Sequence, residues 1–321
     1  MSHLSNLPTE LLLNIAESLL TKDILSLCLC SKSLYDLLHL FKLDHLVHYD
    51  HIRNLLHFDS FTNVVYIYDV KPIFPKFLTR LRWNCIEQLP QLLDSITHLE
   101  LGNGFLHQLP QLPDSLLSLK VGMFYNQTFP QLPPNLGHLE LGSTYNKSLP
   151  ELPDSLVYLK LGYIYNQLLP PLPLALKYLD LGNNYNFSFD GGLPNTLDTL
   201  ILGNNYSRQL PPLPNSLTYF KAGNHFNGHF QHLPDSLTHL IFGEYYDRLL
   251  PNLPTSLTHL IFGDYYNRPL PDLSNSLIHL ELGNYYDYPL PQFPDSLRFL
   301  TISKKTKFTE PLSNVTINYL I

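Results

Sequence analysis

One glycine recurs at a nearly fixed interval through most of the chain. It occupies positions 102, 122, 142, 162, 182, 203, 223, 243, 263 and 283, a period of twenty residues with a single step of twenty-one. A fixed period of this length predicts a solenoid, in which each repeat is one coil stacked on the next. Because only glycine enters positive φ without penalty, we expect this position to be a sharp left-handed turn after each strand.

The residues before each glycine predict one β-strand per coil. They follow the pattern Leu-x-x-Leu-x-Leu-Gly, as in residues 156–162. Alternate side chains of a strand point to opposite faces, so Leu159 and Leu161 are expected in the core of a parallel sheet. The aromatic residue three positions after the glycine is expected to fill the interior. The Asn or Asp that follows should bond to turn backbone, and paired prolines exclude a helix from the return leg.

Composition restricts the partners of such a chain. The net charge is −7, 44% of residues are hydrophobic, and no basic tract is present to neutralise phosphates, so we expect no nucleic-acid partner. Three cysteines, at 28, 30 and 85, are too few for a disulfide framework, which favours a reducing compartment. No run of about 18 apolar residues is present, so we expect no membrane partner. These features predict an intracellular, cytoplasmic protein.

The first forty residues are of a different type. Pro8 and Glu10 suit a first helical turn, and apolar residues then recur near helical spacing as far as Leu20. Thr21 and Ser31 can each cap a further short helix. Three short amphipathic helices bury little by themselves, so we expect them to share their apolar surface with a partner.

This segment resembles an F-box over roughly residues 4–40. The resemblance rests on the Leu-Pro start, the acidic-aliphatic middle and the late lysine, in that order. It implies binding to the Skp-type adaptor of SCF (cullin-RING) ubiquitin ligases. The adaptor-binding residues implied are Leu7, Pro8, Glu10, Leu11, Ile15, Leu19, Ile24, Leu25, Leu27 and Lys32. The residues alone also allow a second interpretation, a helical cap for the solenoid.

The repeats also resemble a known family. Their Gly-x-x-Tyr-Asn and Leu-Pro elements are similar to FNIP repeats, a leucine-rich-repeat-like type, over about residues 78–303. An F-box followed by FNIP repeats resembles proteins of social amoebae and of giant viruses of amoebae, which implies the host cytoplasm if the protein is viral. The predicted fold class is α+β, with a helical F-box at 1–40, a helical linker and N-cap strand at 41–77, a β-solenoid with a parallel sheet at 78–303 and a C-terminal cap at 304–321.

The outward side chains of successive strands line up in two columns on the predicted sheet, and both columns are candidates for target binding. In the first coils the charges along one of these columns alternate in sign. This predicts a ladder in which each charge pairs with its neighbours, formed by Glu100, Lys120, Glu140, Lys160 and Asp180. Ile201, Ile241 and Ile261 interrupt this ladder in the C-terminal half and leave an apolar strip, a common feature of binding sites. We name the predicted target-binding residues the recognition strip: Tyr219, His239, Ile241, His259 and Ile261.

The sequence gives no support for catalysis. It has no phosphate-binding loop, no Cys-x-x-Cys pair and no nucleophile elbow, so we expect no enzyme and no cofactor. Histidines concentrate at 39–57 and 225–239, but the first group has no cysteine at zinc-site spacing and the repeat spreads the second around the coil, so we expect no metal. The predicted function is substrate recognition for an SCF ligase with an unknown protein target. The alternatives are a decoy that sequesters host ligase components, a non-catalytic scaffold, and an enzyme hidden in the solenoid.

Overall fold

The computed structural model describes residues 24, 42–44, 46–56, 58–67, 73–304 and 315–320. The chain divides into two compact units, Met1–Leu136 and Gly137–Ile321. Apart from Ile24, which is helical and buried, the helical F-box predicted at 1–40 lies outside the described residues. The parallel β-solenoid is confirmed, whereas the helical half of the predicted α+β class is not.

The first unit contains a parallel sheet. Its elements are β1 (Val47–His48), α1 (Tyr49–Ile52), a 3-10 turn (Phe58–Ser60), β2 (Asn63–Tyr66), β3 (Arg80–Trp83), β4 (His98–Leu101) and β5 (Ser118–Lys120). All pairings from β1 to β5 are parallel and follow chain order. The segment predicted as a helical linker and N-cap strand contains the short helix α1 and the strands β1 and β2. Its buried, β-branched Val64 and Val65 favour a strand that joins the sheet.

The second unit contains one strand per coil. Its strands are β6 (His138–Glu140), β7 (Tyr158–Lys160), β8 (Tyr178–Asp180), β9 (Thr199–Ile201), β10 (Tyr219–Lys221), β11 (His239–Ile241), β12 (His259–Ile261), β13 (His279–Glu281), β14 (Phe299–Ser303) and β15 (Thr316–Leu320). Each pairs in parallel with the next, and equivalent residues of successive coils lie side by side. The predicted C-terminal cap thus contributes β15 to the sheet.

Alternation along each strand forms the core, as predicted. Leu159 and Leu161 are buried, whereas the alternate residues Tyr158 and Lys160 remain half-exposed. The leucine three residues earlier, Leu156, is buried as well. Each such side chain contributes about 1.5–3 kcal/mol when removed from water. Because every coil repeats the pattern, the interior of each unit is a set of stacked leucine columns.

The recurrent glycine has a different role from the one predicted. Among the ten recurrent positions only Gly182 has a positive φ, of 66°. The shared constraint is space, because within each unit a Cβ atom on a recurrent glycine would meet the carbonyl group of the recurrent glycine one coil earlier, as at Gly122 and Gly162. A methyl group on Gly243, for example, would overlap the carbonyl oxygen of Gly223. The period therefore marks close approach of backbone to backbone, and the prediction of a left-handed turn at every copy was wrong.

Short polar side chains join successive coils at the turns. The Oδ1 atom of Asn166 accepts a hydrogen bond from the backbone N–H of Asn186 at 3.1 Å, and Asp247 accepts one from Asn267 at 3.0 Å. On the other side of the coil the Ser256 hydroxyl donates to the carbonyl of Leu237 at 2.7 Å. These bonds satisfy turn backbone that the strands leave unpaired, and those to Asn166 and Asp247 were predicted from the Asn or Asp position of each coil.

The aromatic column fills the interior, as expected from its position. In the second unit Tyr246 stacks between Phe226 and Tyr266, with ring centroids 6.2 Å away on each side. Both tyrosines are fully buried, and their hydroxyl oxygens have no hydrogen-bond partner among the described residues. Burial also raises the pKa of both phenols. The ring therefore contributes packing, while the hydroxyl carries a desolvation cost.

We expect Tyr246→Phe to raise the free energy of unfolding by about 1 kcal/mol, because a buried hydroxyl without a partner costs about 1–3 kcal/mol. Tyr266→Phe should act in the same way. Tyr246→Ala should lower stability by about 3–5 kcal/mol through the cavity it creates. Denaturant titration of the three variants measures these effects. A loss of more than 1 kcal/mol in either Phe variant would show that the hydroxyls are hydrogen-bonded in solution.

Candidate target-binding surface

The recognition strip lies on three adjacent strands of the second unit. Tyr219, His239 and His259 occupy equivalent positions of β10, β11 and β12. The Tyr219 and His239 ring centroids are 5.5 Å apart, and the His239 and His259 rings stack at 4.2 Å. All three side chains are half-exposed. The structure thus brings the aromatic members of the strip together on the outward face.

The apolar part of the strip is narrower than the sequence suggested. Ile241 and Ile261 are direct neighbours in register, and both are half-exposed. Ile201 is separated from them because Lys221 stands between Ile201 and Ile241. The continuous apolar surface therefore consists of two isoleucines, bounded by Lys221 on one side and by Glu281 on the other.

Charges elsewhere in the same columns form ion pairs. In the first unit Arg82 Nε lies 2.8 Å from a carboxylate oxygen of Glu100, and in the second unit Lys160 Nζ lies 3.3 Å from Glu140. The Lys160–Glu140 pair belongs to the predicted ladder, and Arg82 extends the same column before Glu100. Such exposed pairs contribute about 0.2–1 kcal/mol each. Among the described residues Glu281 has no ion-pair partner, so the C-terminal end of the column presents an uncompensated carboxylate.

A threonine fixes the tautomer of each histidine in the strip. The Thr258 hydroxyl donates its one proton to the carbonyl of Thr238, at 3.0 Å. It lies 2.9 Å from Nδ1 of His259, and having no second proton it must accept there. Nδ1 of His259 therefore carries the proton, and Nε2 keeps its lone pair. Thr238 and His239 repeat the arrangement through Thr218.

Both histidines favour the neutral form in the folded protein. Burial lowers the pKa of His239, and burial together with the neighbouring His239 and His279 lowers the pKa of His259. The unfolded chain, with histidine pKa near 6.5, then binds more protons than the folded one as the pH falls. Their contribution to stability is present above about pH 6.5 and is lost as the pH falls toward the folded pKa values.

We expect the melting temperature to fall between pH 7.5 and pH 5, with a smaller fall in the variant His239→Phe with His259→Phe. Phenylalanine keeps the ring, as Phe299 does in the same column, and removes the titration. Melting scans across this pH range make the measurement. His232→Phe, at an exposed position on a return leg, is the control. Identical pH profiles for wild type and the double variant would contradict the assignment.

A second exposed ladder was missed in the sequence. The residues two positions after the glycine in four successive coils stack on one another: His225 on Tyr245 at 5.2 Å, Tyr245 on Tyr265 at 5.1 Å, and Tyr265 on Tyr285 at 4.9 Å. Tyr245, Tyr265 and Tyr285 are 41%, 45% and 57% exposed. The doubled tyrosines of these coils were the available signal, since the second of each pair is buried and only the first can face solvent.

Other candidate features lie away from this surface. His229 and His232 line a cleft of about 370 Å³ on a return leg, whereas His239 lies on a strand. Within the described ranges no three His, Cys, Asp or Glu side chains come together in a metal-binding group. The adaptor-binding residues predicted at 7–32 lie outside the described residues, except for Ile24. In the described part of the chain no helix combines the length and apolar character needed to cross a bilayer.

Comparison with family models supports both parts of the chain. The F-box domain model matches residues 4–46, and the FNIP Repeat model matches residues 125–164, 231–265, 246–272 and 266–305. No curated protein matches the sequence significantly. The F-box match covers all the predicted adaptor-binding residues, and the C-terminal FNIP matches cover the recognition strip from His239 to Ile261.

Two solved structures resemble the fold. One is CroV588, described as a novel circular LRR protein structure, with 27% sequence identity over 81% of this chain and a TM-score of 0.58. The other is YopM from Yersinia enterocolitica, with 26% identity over 76% of this chain and a TM-score of 0.60. The matched region spans about half of each of those proteins, 53% and 56%. The chain thus carries matches to the F-box and FNIP Repeat models, and its repeats fold as a leucine-rich-repeat-like parallel β-solenoid.

Proposed function

We propose that the chain is the substrate-recognition subunit of an SCF (cullin-RING) ubiquitin ligase, acting in the cytoplasm. In this role the F-box binds a Skp-type adaptor, and the repeats bind a protein target through the recognition strip. The chain contributes proximity and orientation, because a bound target is held at high effective concentration near the ligase. No catalytic group is required of it.

The observation that carries the proposal is the combination of an F-box match with a regular sheet that exposes a distinctive patch. A residue repeated in every coil is explained by the coil itself. The patch departs from that repetition at β11 and β12, where paired isoleucines replace the charges of the ladder beside two stacked histidines. Half-exposed apolar and aromatic side chains rimmed by polar groups are typical of protein-binding surfaces.

The proposed target-binding role of the repeats predicts the effect of introducing charge into the recognition strip. The variant Ile241→Lys with Ile261→Lys should lose target binding and keep adaptor binding, because burying two lysine ammonium groups at an apolar contact carries a large desolvation cost. The outward position of both residues should leave the fold intact. Quantitative affinity capture, with the adaptor and ubiquitinated proteins measured together, tests this expectation. Ile164→Lys with Leu174→Lys, at exposed positions elsewhere in the second unit, is the matched control.

The outcomes separate the candidate functions. Proteins that depend on the strip for capture, and on residues 4–46 for ubiquitination, would establish the proposed role. Capture without ubiquitination would favour a decoy or scaffold. Loss of adaptor and target together in the Ile241→Lys, Ile261→Lys variant would indicate misfolding, and unchanged capture would place target binding elsewhere.

A further inference from the structure

The outward face of β11 to β13 presents hydrogen-bond acceptors with few donors. Because Nδ1 of His239 and of His259 donates to a threonine hydroxyl, the remaining nitrogen, Nε2, is an acceptor in each ring. Neither Nε2 atom has a hydrogen-bond partner among the described residues. The Glu281 carboxylate, beside Ile261 in register, adds further acceptor positions. We call His239, Ile241, His259, Ile261 and Glu281 the acceptor face.

The turns that follow these strands carry the same sign of charge. Glu244 is hydrogen-bonded to Asn224 at 3.4 Å and Asp264 to Asn284 at 3.2 Å, and neither carboxylate pairs with a cation within the described ranges. Tyr245 follows Ile241 by four positions, so their Cα atoms lie within about 14 Å of each other. The exposed tyrosine ladder is therefore within reach of a partner that occupies the acceptor face.

The charge of these coils favours a cationic partner. The segment from Leu237 to Leu290 contains six carboxylates and two guanidinium groups, those of Glu244, Asp247, Asp264, Asp272, Glu281, Asp287, Arg248 and Arg268. The Arg268 guanidinium is already paired with Asp247 at 2.8 Å, and the Arg248 Nε donates to the carbonyl of Asn227. Lys221 on β10 marks the edge at which the acceptor character ends.

We propose that the acceptor face binds an arginine-bearing extended segment of the target. This inference rests on the proposed function, because it names the chemistry of the target that the recognition strip would hold. Arginine has five donors and no acceptor, which complements carboxylates and imidazole lone pairs. Its aliphatic stem can cover Ile241 and Ile261 while the guanidinium reaches Glu281. The ring edges of the tyrosine ladder supply a rigid amphipathic border.

The inference is tested with the full-length chain and a fluorescein-labelled octapeptide that carries arginine at three alternate positions, separated by Gly and Ser. A second peptide has citrulline at those positions and so keeps the shape without the charge. Fluorescence anisotropy should show saturable binding of the arginine peptide and at least tenfold weaker binding of the citrulline peptide. Because the contact is electrostatic, raising the salt concentration should weaken it.

Variants locate the binding. Glu281→Gln together with His239→Phe and His259→Phe should weaken binding of the arginine peptide at least tenfold. Lys221→Glu should strengthen its binding by extending the acceptor face. Glu151→Gln with His232→Phe makes similar changes at exposed return-leg positions and should leave affinity unchanged. Circular dichroism checks that each variant is folded.

Lowering the pH from 7.5 to 5.5 should also weaken binding, since protonation turns both Nε2 acceptors into donors. The ionisable groups on the flanking strands are Tyr219 and Lys221 on β10, and His279 and Glu281 on β13. Equal binding of the citrulline peptide, tighter binding of a neutral proline-rich octapeptide, or no effect of the triple variant would each overturn the inference. Adaptor binding is measured separately, so failure of the peptide test leaves the proposed ligase role standing.

Discussion

Gly243→Ala is expected to lower the free energy of unfolding by about 3 kcal/mol, at the upper end of the usual cost of overpacking. The added methyl group would overlap the carbonyl oxygen and carbon of Gly223 and the Cα of Asn224. All three are backbone atoms, so relief requires two coils to separate. The gain of about 0.4–1 kcal/mol from a stiffer unfolded chain is too small to offset this clash. Guanidinium titration followed by circular dichroism measures the change.

Gly191→Ala is the matched control for that experiment. A methyl group there meets nothing within 4 Å, and Gly191 has no positive φ. The substitution should therefore be neutral, or stabilising by up to about 1 kcal/mol, through the unfolded state alone. Equal stabilities of the two variants would show that close packing of the coils does not require glycine at the recurrent position.

Leu7→Ala with Pro8→Ala is expected to abolish adaptor binding, or to weaken it by about a hundredfold. The F-box resemblance places both residues in the adaptor contact, and losing a central apolar anchor of an interface costs about 2–4 kcal/mol. The recognition strip is far away in the sequence, so binding of the arginine peptide should not change. A pull-down with purified adaptor, followed by calorimetric titration, makes the measurement.

The control for this variant changes the same residue types outside the F-box. Leu174→Ala with Pro171→Ala alters exposed positions on a return leg and should leave adaptor affinity as in wild type. Unchanged binding of the Leu7→Ala, Pro8→Ala variant would refute the assignment of the F-box contact. Loss of binding in both variants would indicate a general defect of the chain.

The sequence predicts the repeat architecture well because the core follows two short-range rules. Strand alternation places Leu159 and Leu161 inside, and the twenty-residue period forces equivalent residues of successive coils into register. The turn ladder through Asn166 could also be foreseen, since a short polar side chain at a turn bonds to nearby backbone.

Features that depend on contacts between coils could not be predicted in the same way. A periodic glycine is compatible with a left-handed turn or with close packing, and only the position of the Gly223 carbonyl beside Gly243 distinguishes the two. The histidine tautomers likewise depend on a contact between coils. The Thr258 hydroxyl donates its proton to the carbonyl of Thr238 in the preceding coil and so can only accept from its histidine. The position of Lys221 between Ile201 and Ile241, by contrast, follows from the period itself, and it limits the continuous apolar surface to Ile241 and Ile261.

The measurement that tests the central claim most directly is a calorimetric titration of a purified Skp-type adaptor into the full-length chain. The account predicts saturable one-to-one binding that remains in the Ile241→Lys, Ile261→Lys variant and disappears in the Leu7→Ala, Pro8→Ala variant. Absence of binding by a chain whose circular dichroism and melting show a folded solenoid would contradict it. The molecule would then be a repeat scaffold with no connection to a ubiquitin ligase.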